Sequence, residues 1–168
     1  MAYKAFHGAC EQTGEHPARL LMRCGALDSP LSYHHGQFIQ AHFPKGEGFA
    51  SDFRFTNAEY EKAIAGLPTA QVKAFSIDDV GTTEIDDALS LTPIGNGLYR
   101  LGIHIAAPGL LIQKGDRFDQ VARERMSTVY FPGDKITMLP EQFVEYFSLD
   151  AGSARPAVSL YVEIDALG

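Results

Sequence analysis

The sequence predicts an α+β fold, in which a helical N-terminal segment is followed by a mixed, largely antiparallel sheet with short helices. Three observations predict it. Helix-end signals recur through the first third of the chain, apolar residues alternate from Val72 onward, and Gly95-Asn96-Gly97 is typical of a hairpin turn. The predicted linker Gly66-Leu67-Pro68 divides the chain into two predicted domains, residues 1–70 and residues 71–168.

The helices of the N-terminal part are predicted from their ends. A proline in the first turn and a glycine after the last turn bracket one helix, and Ser29-Pro30 opens a second. Thr56 and Glu59 have the spacing of a capping box, which opens a third. The predicted helices cover residues 18–24, residues 30 to before Pro44, and residues 60–65.

The second part is predicted to alternate strands with short helices. Its strands are short apolar or alternating runs, and its helices lie between them. The predicted strands cover residues 72–77, 88–91, 98–105 and 156–165, and the predicted helices cover residues 116–127 and 140–147.

The most informative stretch is Asp78 to Asp87, which places five carboxylates in ten residues with no Lys or Arg among them. Two carboxylates about 5 Å apart at an effective dielectric constant of about 20 repel by roughly 3 kcal/mol, so converging acids need a cation between them. Hard oxygen ligands without His or Cys favour Mg²⁺ or Mn²⁺ over zinc. The stretch therefore predicts a divalent metal site on the connection between two strands.

A solvated acidic loop is the alternative interpretation of this stretch. Ile77 and Ile85 are interleaved with the acids, which predicts that the segment packs against a core. Val80 and Gly81 break the pattern of a helical calcium-binding loop, which needs an oxygen ligand at its third position and glycine at its sixth.

The acidic stretch resembles the metal-binding signature of the ribonuclease II / ribonuclease R family. The catalytic RNB domain of that family holds four acids spaced D-x₅-D-x-D-D, within a string similar to Ile77-Asp78-Asp79 … Thr83-Glu84-Ile85-Asp86-Asp87-Ala88-Leu89-Ser90. The four acids fall on Asp78, Glu84, Asp86 and Asp87. Glu84 is one methylene longer than the usual Asp of the family.

Further blocks downstream resemble the same family in the same order. They are Gly102–Ala106, similar to G-V-H-I-A; Ser127–Pro132 with Met138–Pro140, similar to S-V-Y … M-L-P; and Ser148-Leu149 with Arg155–Ser159. The resemblance covers residues 72–165. It implies that residues 71–168 are the N-terminal portion of an RNB catalytic domain, truncated at its C-terminal side, whereas residues 1–70 carry no motif of the family.

The resemblance implies a metal-dependent exoribonuclease that hydrolyses single-stranded RNA from its 3′ end to nucleoside 5′-monophosphates. Asp78, Glu84, Asp86 and Asp87 would be its catalytic metal ligands, and Tyr130 would stack on a base. From the residues alone, a core tyrosine is the preferred interpretation of Tyr130, and His104 is a structural histidine on a strand. Two alternatives stay open: a non-catalytic fragment that binds metal or RNA, and a structural or interaction module with a vestigial metal loop.

Charge and composition constrain the partners. The net charge of −7 opposes RNA binding, and the basic residues that could face phosphates concentrate between residues 100 and 125. Arg100, Arg123 and Arg125 are the predicted RNA-binding cations. No apolar run approaches the length of a membrane span, and two unpatterned cysteines predict a reduced, cytoplasmic setting. A last strand without a hairpin partner predicts a homodimer through an exposed edge.

Overall fold

The computed structural model describes residues 2–165, which divide into two compact units, Met1–Gly48 and Phe49–Gly168. This division differs from the predicted domain boundary at residue 70. Phe55 and Tyr60 precede that boundary but pack in the same aromatic cluster as Phe143, so the segment from residue 49 belongs to the second unit. Residues 166–168 of the predicted second domain lie outside the described residues.

The first unit is helical, with α1 (Ala2–Thr13), α2 (Pro17–Arg23) and α3 (Pro30–His42). The predicted starts of α2 and α3 are confirmed, because the side chains of His16 and Ser29 accept hydrogen bonds from the first-turn backbone N–H groups of Ala18 and Ser32. Helix α1 lies outside the predicted helices, because no capping residue or proline marks its start.

The second unit combines three further α-helices with two sheets among the described residues, which confirms the α+β prediction. The main sheet is antiparallel and has the strand order β1-β2-β3-β6, and β4 and β5 form a separate hairpin. The elements are α4 (Asn57–Ile64), β1 (Ala74–Phe75), β2 (Asp87–Gly95), β3 (Leu98–Ala106), a 3-10 helix (Pro108–Leu111), α5 (Arg117–Arg125), β4 (Val129–Phe131), β5 (Asp134–Ile136), α6 (Glu141–Phe147) and β6 (Ala157–Ile164).

An aromatic cluster joins the helices of the second unit. Phe143 of α6 meets Phe55 and Phe118 edge-to-face, with 5.0 Å between ring centroids in each pair. Such pairs add about 0.5–1.5 kcal/mol beyond the burial of their area. The Gln142 side chain bonds both the N–H and the carbonyl of Phe55 at 3.0 Å, which fixes α6 against the segment that leads into α4.

The β2–β3 hairpin sets the register of the main sheet. Asn96 and Gly97 have φ angles of 54° and 75°, as a two-residue type I′ turn requires, and Gly95 pairs with Leu98 across it. The predicted hairpin is therefore confirmed. Its register puts Asp87, the first residue of β2, opposite Ile105 near the end of β3.

A buried polar row crosses the middle of the sheet. His104 is 5% exposed, and hydrogen bonds of 2.8 Å join its Nε2 to Ser90 Oγ and its Nδ1 to Ser159 Oγ. Both ring nitrogens therefore have partners on neighbouring strands. This arrangement fits the structural interpretation of His104.

Strand β6 forms the edge of the main sheet within the described residues. Its side chains Val158 and Leu160 are 68% and 61% exposed. The register places them on the same sheet face as Ile105 and Ile103. A homodimer through this edge stays a prediction. No helix among residues 2–165 is long and apolar enough to cross a membrane.

The polar row depends on Gly102, which allows a first test. A Cβ atom at position 102 would collide with Ser90 Oγ and lie 2.8 Å from His104 Nε2. We expect Gly102→Ala to lower the free energy of unfolding by about 1–3 kcal/mol, the usual cost of overpacking. Denaturant unfolding followed by circular dichroism measures it. Gly109→Ala is the matched control, because no atom lies within 4 Å of a Cβ built there. Equal stability of the two variants would contradict the expectation.

Candidate metal centre

The acidic stretch forms the connection between β1 and β2, as predicted. Asp78, Glu84 and Asp86 lie on the connection, and Asp87 is the first residue of β2. The pairs Ala74–Ser90 and Phe75–Leu89 hold the two strands antiparallel, so the connection folds back on itself at one end of the sheet.

The second half of this connection is fixed by backbone hydrogen bonds. The N–H of Ile85 donates to Ser148 Oγ at 3.1 Å, and the N–H of Leu149 donates to the carbonyl of Ile85 at 2.9 Å. The N–H of Ala106 donates to the carbonyl of Asp86 at 2.8 Å. The chain after α6 and the end of β3 therefore determine where Asp86 and Asp87 lie.

The first half of the connection is exposed. Ile77 is 81% exposed, so the prediction that it packs against a core is wrong, whereas Ile85 is half-buried. The N–H of Thr82 donates to the carbonyl of Asp79, and Gly81 has a φ of 101° that suits glycine, so this half is a solvent-facing turn. The backbone hydrogen bonds described above hold Ile85 and Asp86, in the second half of the connection.

Asp86 is the electrostatic centre of the stretch. Although the residue as a whole is exposed, partial burial of its carboxyl raises the pKa of Asp86, and the charges of Glu84, Asp87 and Asp78 raise it further. The charge of Lys135 lowers the pKa of Asp86. The four acids of the predicted ligand set are therefore close enough to interact, and their mutual repulsion is only partly offset.

Glu84 is paired with Lys135 of β5. The Lys135 ammonium lies 3.2 Å from Glu84 Oε1 and donates to Thr83 Oγ1 at 3.1 Å. The Glu84 side chain is 12% exposed and the Lys135 side chain 32%. Burial at this level makes the pair less screened than a surface ion pair.

Glu84 and Asp86 line a cavity of about 130 Å³. The rest of its lining is largely apolar and includes Met138, Leu139 and Phe143. An apolar wall disfavours the ionised form of a carboxyl group, which is the burial contribution to the raised pKa of Asp86.

Tyr130 lies on the hairpin that also carries Lys135. The two residues are direct cross-strand partners, so their side chains point to the same face of the β4–β5 hairpin, with Cβ atoms about 5 Å apart. Because Lys135 reaches Glu84, this face is the one turned toward the acids. Tyr130 is 69% exposed, which excludes a core tyrosine and leaves its ring available for stacking.

The sequence-family model of the RNB domain matches residues 68–168, which is more than half of the chain. The chain belongs to the RNB-domain family. It is 42% identical over 90 residues to exoribonuclease 2 of Vibrio cholerae, covering 53% of this chain and 13% of that protein. The chain spans 13–17% of the length of this protein and of two other curated ribonucleases that it resembles.

Two solved structures of the RNB type resemble the chain. Yeast Ssd1, described as a pseudonuclease, is 29% identical with a TM-score of 0.51, covering 56% of this chain and 12% of that one. Mycoplasma genitalium RNase R in complex with ribose-methylated single-stranded RNA is 21% identical with a TM-score of 0.56, covering 77% and 19%. The second likeness concerns the fold alone.

The donor chemistry of this RNB-family site suits a divalent ion. Carboxylates are the ligands of Mg²⁺ and Mn²⁺, and the repulsion around Asp86 is what a cation would relieve. Among residues 2–165, however, no three His, Cys, Asp or Glu side chains stand close enough together to enclose one ion. Which of the predicted ligands Asp78, Glu84, Asp86 and Asp87 would hold an ion therefore stays a prediction, and Glu84 Oε1 is engaged with Lys135.

The predicted RNA-binding arginines are engaged elsewhere. Arg100 lies five residues along β3 from Ile105, about 16 Å at about 3.3 Å per residue, and pairs with Glu163 at 3.3 Å. Arg123 donates to Asp119 at 2.8 Å. Arg125 donates to the carbonyl of Thr137 at 2.7 Å and stacks 3.9 Å from the centroid of Phe49. Their role in RNA binding stays a prediction, and the structure does not bring Arg100 to the acids.

Lys135 is the residue of the site that the sequence did not indicate. It lies outside the acidic stretch and outside the basic segment 100–125, and only the β4–β5 hairpin brings it to Glu84. Ser148, by contrast, belongs to a sequence block that resembles the family. The sequence therefore marked Ser148 as a family position, but it did not predict the hydrogen bond between Ser148 and Ile85.

The raised pKa of Asp86 gives a pH-dependent test. A carboxyl whose pKa is higher in the folded than in the unfolded chain lowers stability when ionised, and this cost disappears as the pH falls toward the ordinary aspartate value. We expect Asp86→Asn to raise the melting temperature at pH 7 in EDTA, with a gain that shrinks toward about pH 4. Thermal melts across this range measure it.

Asp79→Asn is the matched control, because it removes one charge from the same loop but Asp79 is not among the charges that act on Asp86. Mg²⁺ should then stabilise the wild type more than the Asp86→Asn variant. A lower melting temperature for Asp86→Asn than for the wild type at pH 7 would contradict the expectation.

Proposed function

We propose that the protein is a metal-dependent 3′–5′ exoribonuclease of the ribonuclease II type, which hydrolyses single-stranded RNA to nucleoside 5′-monophosphates. The observation that carries the proposal is the position of Asp86, which lines a cavity and interacts with three other carboxylates and with Lys135, the cross-strand partner of Tyr130. Asp78, Asp86 and Asp87 would hold Mg²⁺ or Mn²⁺.

The acids have separate positions along the backbone. Asp86 is the last residue of the connection and Asp87 the first of β2, so their side chains leave adjacent backbone positions and can reach different sides of an ion or ion pair. Asp78 approaches from the exposed turn. A bound divalent ion would supply an activated water and would stabilise charge on the leaving 3′-oxygen.

Tyr130 is proposed to bind the substrate by stacking. Its ring is exposed on the face of the hairpin that is turned toward the acids. A base stacked on an aromatic ring gains about 1–3 kcal/mol regardless of its identity, which suits an enzyme that degrades any sequence.

The names of relatives support RNA as the substrate. The Vibrio cholerae relative is an exoribonuclease, and Mycoplasma genitalium RNase R has been solved with single-stranded RNA. The chain spans 13–17% of the length of three curated relatives, so the activity of a whole enzyme is part of the proposal. Cys10 and Cys24 are both free, which supports the proposed cytoplasmic setting.

A second candidate function is metal or RNA binding without hydrolysis. Two observations favour it. Lys135 forms an ion pair with Glu84, and yeast Ssd1, one of the similar structures, is described as a pseudonuclease. An ammonium that already neutralises one of four acids weakens the case for a complete two-metal site.

Loss of one acid tests the first proposal. We expect Asp87→Asn to lower the rate of RNA degradation at least about a hundredfold, because even outer-shell partners of a metal are worth about 10- to 100-fold. The measurement follows a 5′-labelled single-stranded RNA with Mg²⁺ and with EDTA. Shortening from the 3′ end that needs Mg²⁺ is the expected pattern.

Asp79→Asn is the control and should degrade RNA at the wild-type rate. If the wild-type chain binds Mn²⁺ but cleaves nothing, the second candidate function replaces the first. Degradation that continues in EDTA would contradict a metal-dependent mechanism.

Replacement of Tyr130 tests the stacking role. We expect Tyr130→Ala to weaken binding of a short single-stranded RNA by about 5- to 100-fold, which corresponds to the loss of one stacked base, while Tyr130→Phe retains most of the affinity. Fluorescence anisotropy in Ca²⁺ or EDTA measures binding without cleavage. Equal affinity of the alanine variant and the wild type would exclude stacking on this ring.

A further inference from the structure

Ser148 connects the end of helix α6 to the acidic stretch, and its hydroxyl donates and accepts at the same time. The backbone N–H of Ser148 donates to the carbonyl of Val144 at 2.9 Å, so the helix sets the position of Ser148. Its Oγ accepts from the N–H of Ile85 at 3.1 Å and donates its proton to Asp150 Oδ1 at 3.0 Å. Ser148 is 4% exposed, so water competes little with these bonds.

The acceptor of the hydroxyl proton determines the direction of the Ser148 hydroxyl. A serine hydroxyl has one proton to donate and two lone pairs, and it rotates to suit its partners. A carboxylate only accepts, so Asp150 takes the proton and leaves a lone pair of Oγ for the N–H of Ile85. Without the carboxylate, the proton can turn to the carbonyl of Val144, the usual alternative partner four residues back.

Arg155 holds the Asp150 carboxylate against α6. Its Nη2 lies 3.6 Å from Asp150 Oδ2, and its Nη1 donates to the carbonyl of Tyr146 at 3.2 Å. Tyr146 belongs to α6, so the guanidinium joins the carboxylate to the helix that also carries Ser148. The sequence blocks that contain Ser148 and Arg155 are therefore joined through Asp150, which lies between them in the chain.

Ile85 is the residue through which these contacts reach the acids. Its N–H belongs to the peptide group shared with Glu84, and its carbonyl belongs to the peptide group shared with Asp86. Both peptide groups are hydrogen-bonded, the first to Ser148 Oγ and the second to the N–H of Leu149 at 2.9 Å. The directions in which the two flanking acids leave the backbone therefore depend on the Ser148 hydroxyl.

We propose that Asp150 is a positioning residue, which directs the Ser148 hydroxyl toward Ile85 and thereby orients Glu84 and Asp86 for RNA hydrolysis. Asp150 acts through Ser148 and is not itself a catalytic residue. The effect on hydrolysis rests on the proposed function, whereas the effect on the Ile85 hydrogen bond does not depend on it.

Amide hydrogen exchange at Ile85 tests the hydrogen-bond arrangement without RNA or metal. NMR measures it in the wild type, Asp150→Ala, Asp150→Asn and Ser148→Ala, with the amides of β3, in the middle of the main sheet, as the internal reference. We expect both alanine variants to accelerate exchange at Ile85 about tenfold relative to β3, which corresponds to the loss of one hydrogen bond. Circular dichroism checks the fold, and Asp150→Leu replaces Asp150→Ala if the latter is unfolded.

Two variants distinguish the acceptor role of Asp150 from its charge. Asp150→Asn keeps an oxygen that can accept the Ser148 proton, so we expect exchange at Ile85 to stay within about threefold of the wild type. Glu145→Ala is the matched control, since it removes one negative charge from an exposed residue of α6, and it should leave exchange at Ile85 unchanged.

Steady-state degradation of single-stranded RNA with Mg²⁺ tests the effect on hydrolysis. We expect Asp150→Ala to lower kcat about 10- to 100-fold while KM stays within about twofold, because misplaced acids impair the reaction more than they impair binding. Asp150→Asn should restore kcat. A loss that merely reflected instability would not be reversed by this conservative substitution.

Four outcomes would overturn the inference. They are wild-type exchange at Ile85 in Asp150→Ala, equal acceleration at Ile85 and in β3, an Asp150→Asn variant that exchanges as fast as Asp150→Ala, and an unchanged kcat in Asp150→Ala despite faster exchange at Ile85. If the wild type degrades no RNA while the exchange pattern is as expected, the exoribonuclease proposal fails, and the assignment of Asp150 to the Ile85 hydrogen bond stands.

Discussion

The acidic site depends on hydrogen bonds that hold two consecutive residues from two directions. Ile85 is bonded to Ser148 and Leu149 at the end of α6, and the carbonyl of Asp86 accepts from Ala106 at the end of β3. A backbone fixed at successive peptide groups has little rotational freedom left, so the directions in which Asp86 and Asp87 leave the chain are determined. The turn from Asp78 to Thr83 is exposed, and a hydrogen bond from the N–H of Thr82 to the carbonyl of Asp79 lies within it.

The electrostatics of the second unit differ between its two acidic regions. At Asp119, a hydrogen bond from Arg123 and another from the backbone of Gly115 lower the pKa of the carboxyl, so ionisation there is stabilised. At Asp86, partial burial and three nearby carboxylates raise the pKa, and only Lys135 opposes them. A carboxyl whose charge is disfavoured by its surroundings is typical of a binding or catalytic site, because a ligand of opposite charge relieves the cost.

Local signals explain why much of the fold could be predicted. The capping box of Thr56 and Glu59 and the Asn96-Gly97 turn are formed by neighbouring residues, and both are confirmed. Packing between distant segments could not be predicted in the same way. Phe55 and Tyr60 join aromatic side chains of α6, so the segment that contains them packs with the second unit, and Ile77 lies in the half of the acidic connection that faces solvent.

The sequence by itself determined the α+β fold, the family and the four acids of the candidate site, because these are recorded in the order and spacing of nearby residues. Tertiary structure alone decided how those acids are used. In the folded chain Tyr130 is exposed, and Lys135 contacts Glu84. Arg100, near the end of β3 that is remote from Ile105, pairs with Glu163 of β6. The physical reason is that charge interactions depend on distance in space, and a strand pairing can place a lysine beside an acid that no sequence spacing connects to it.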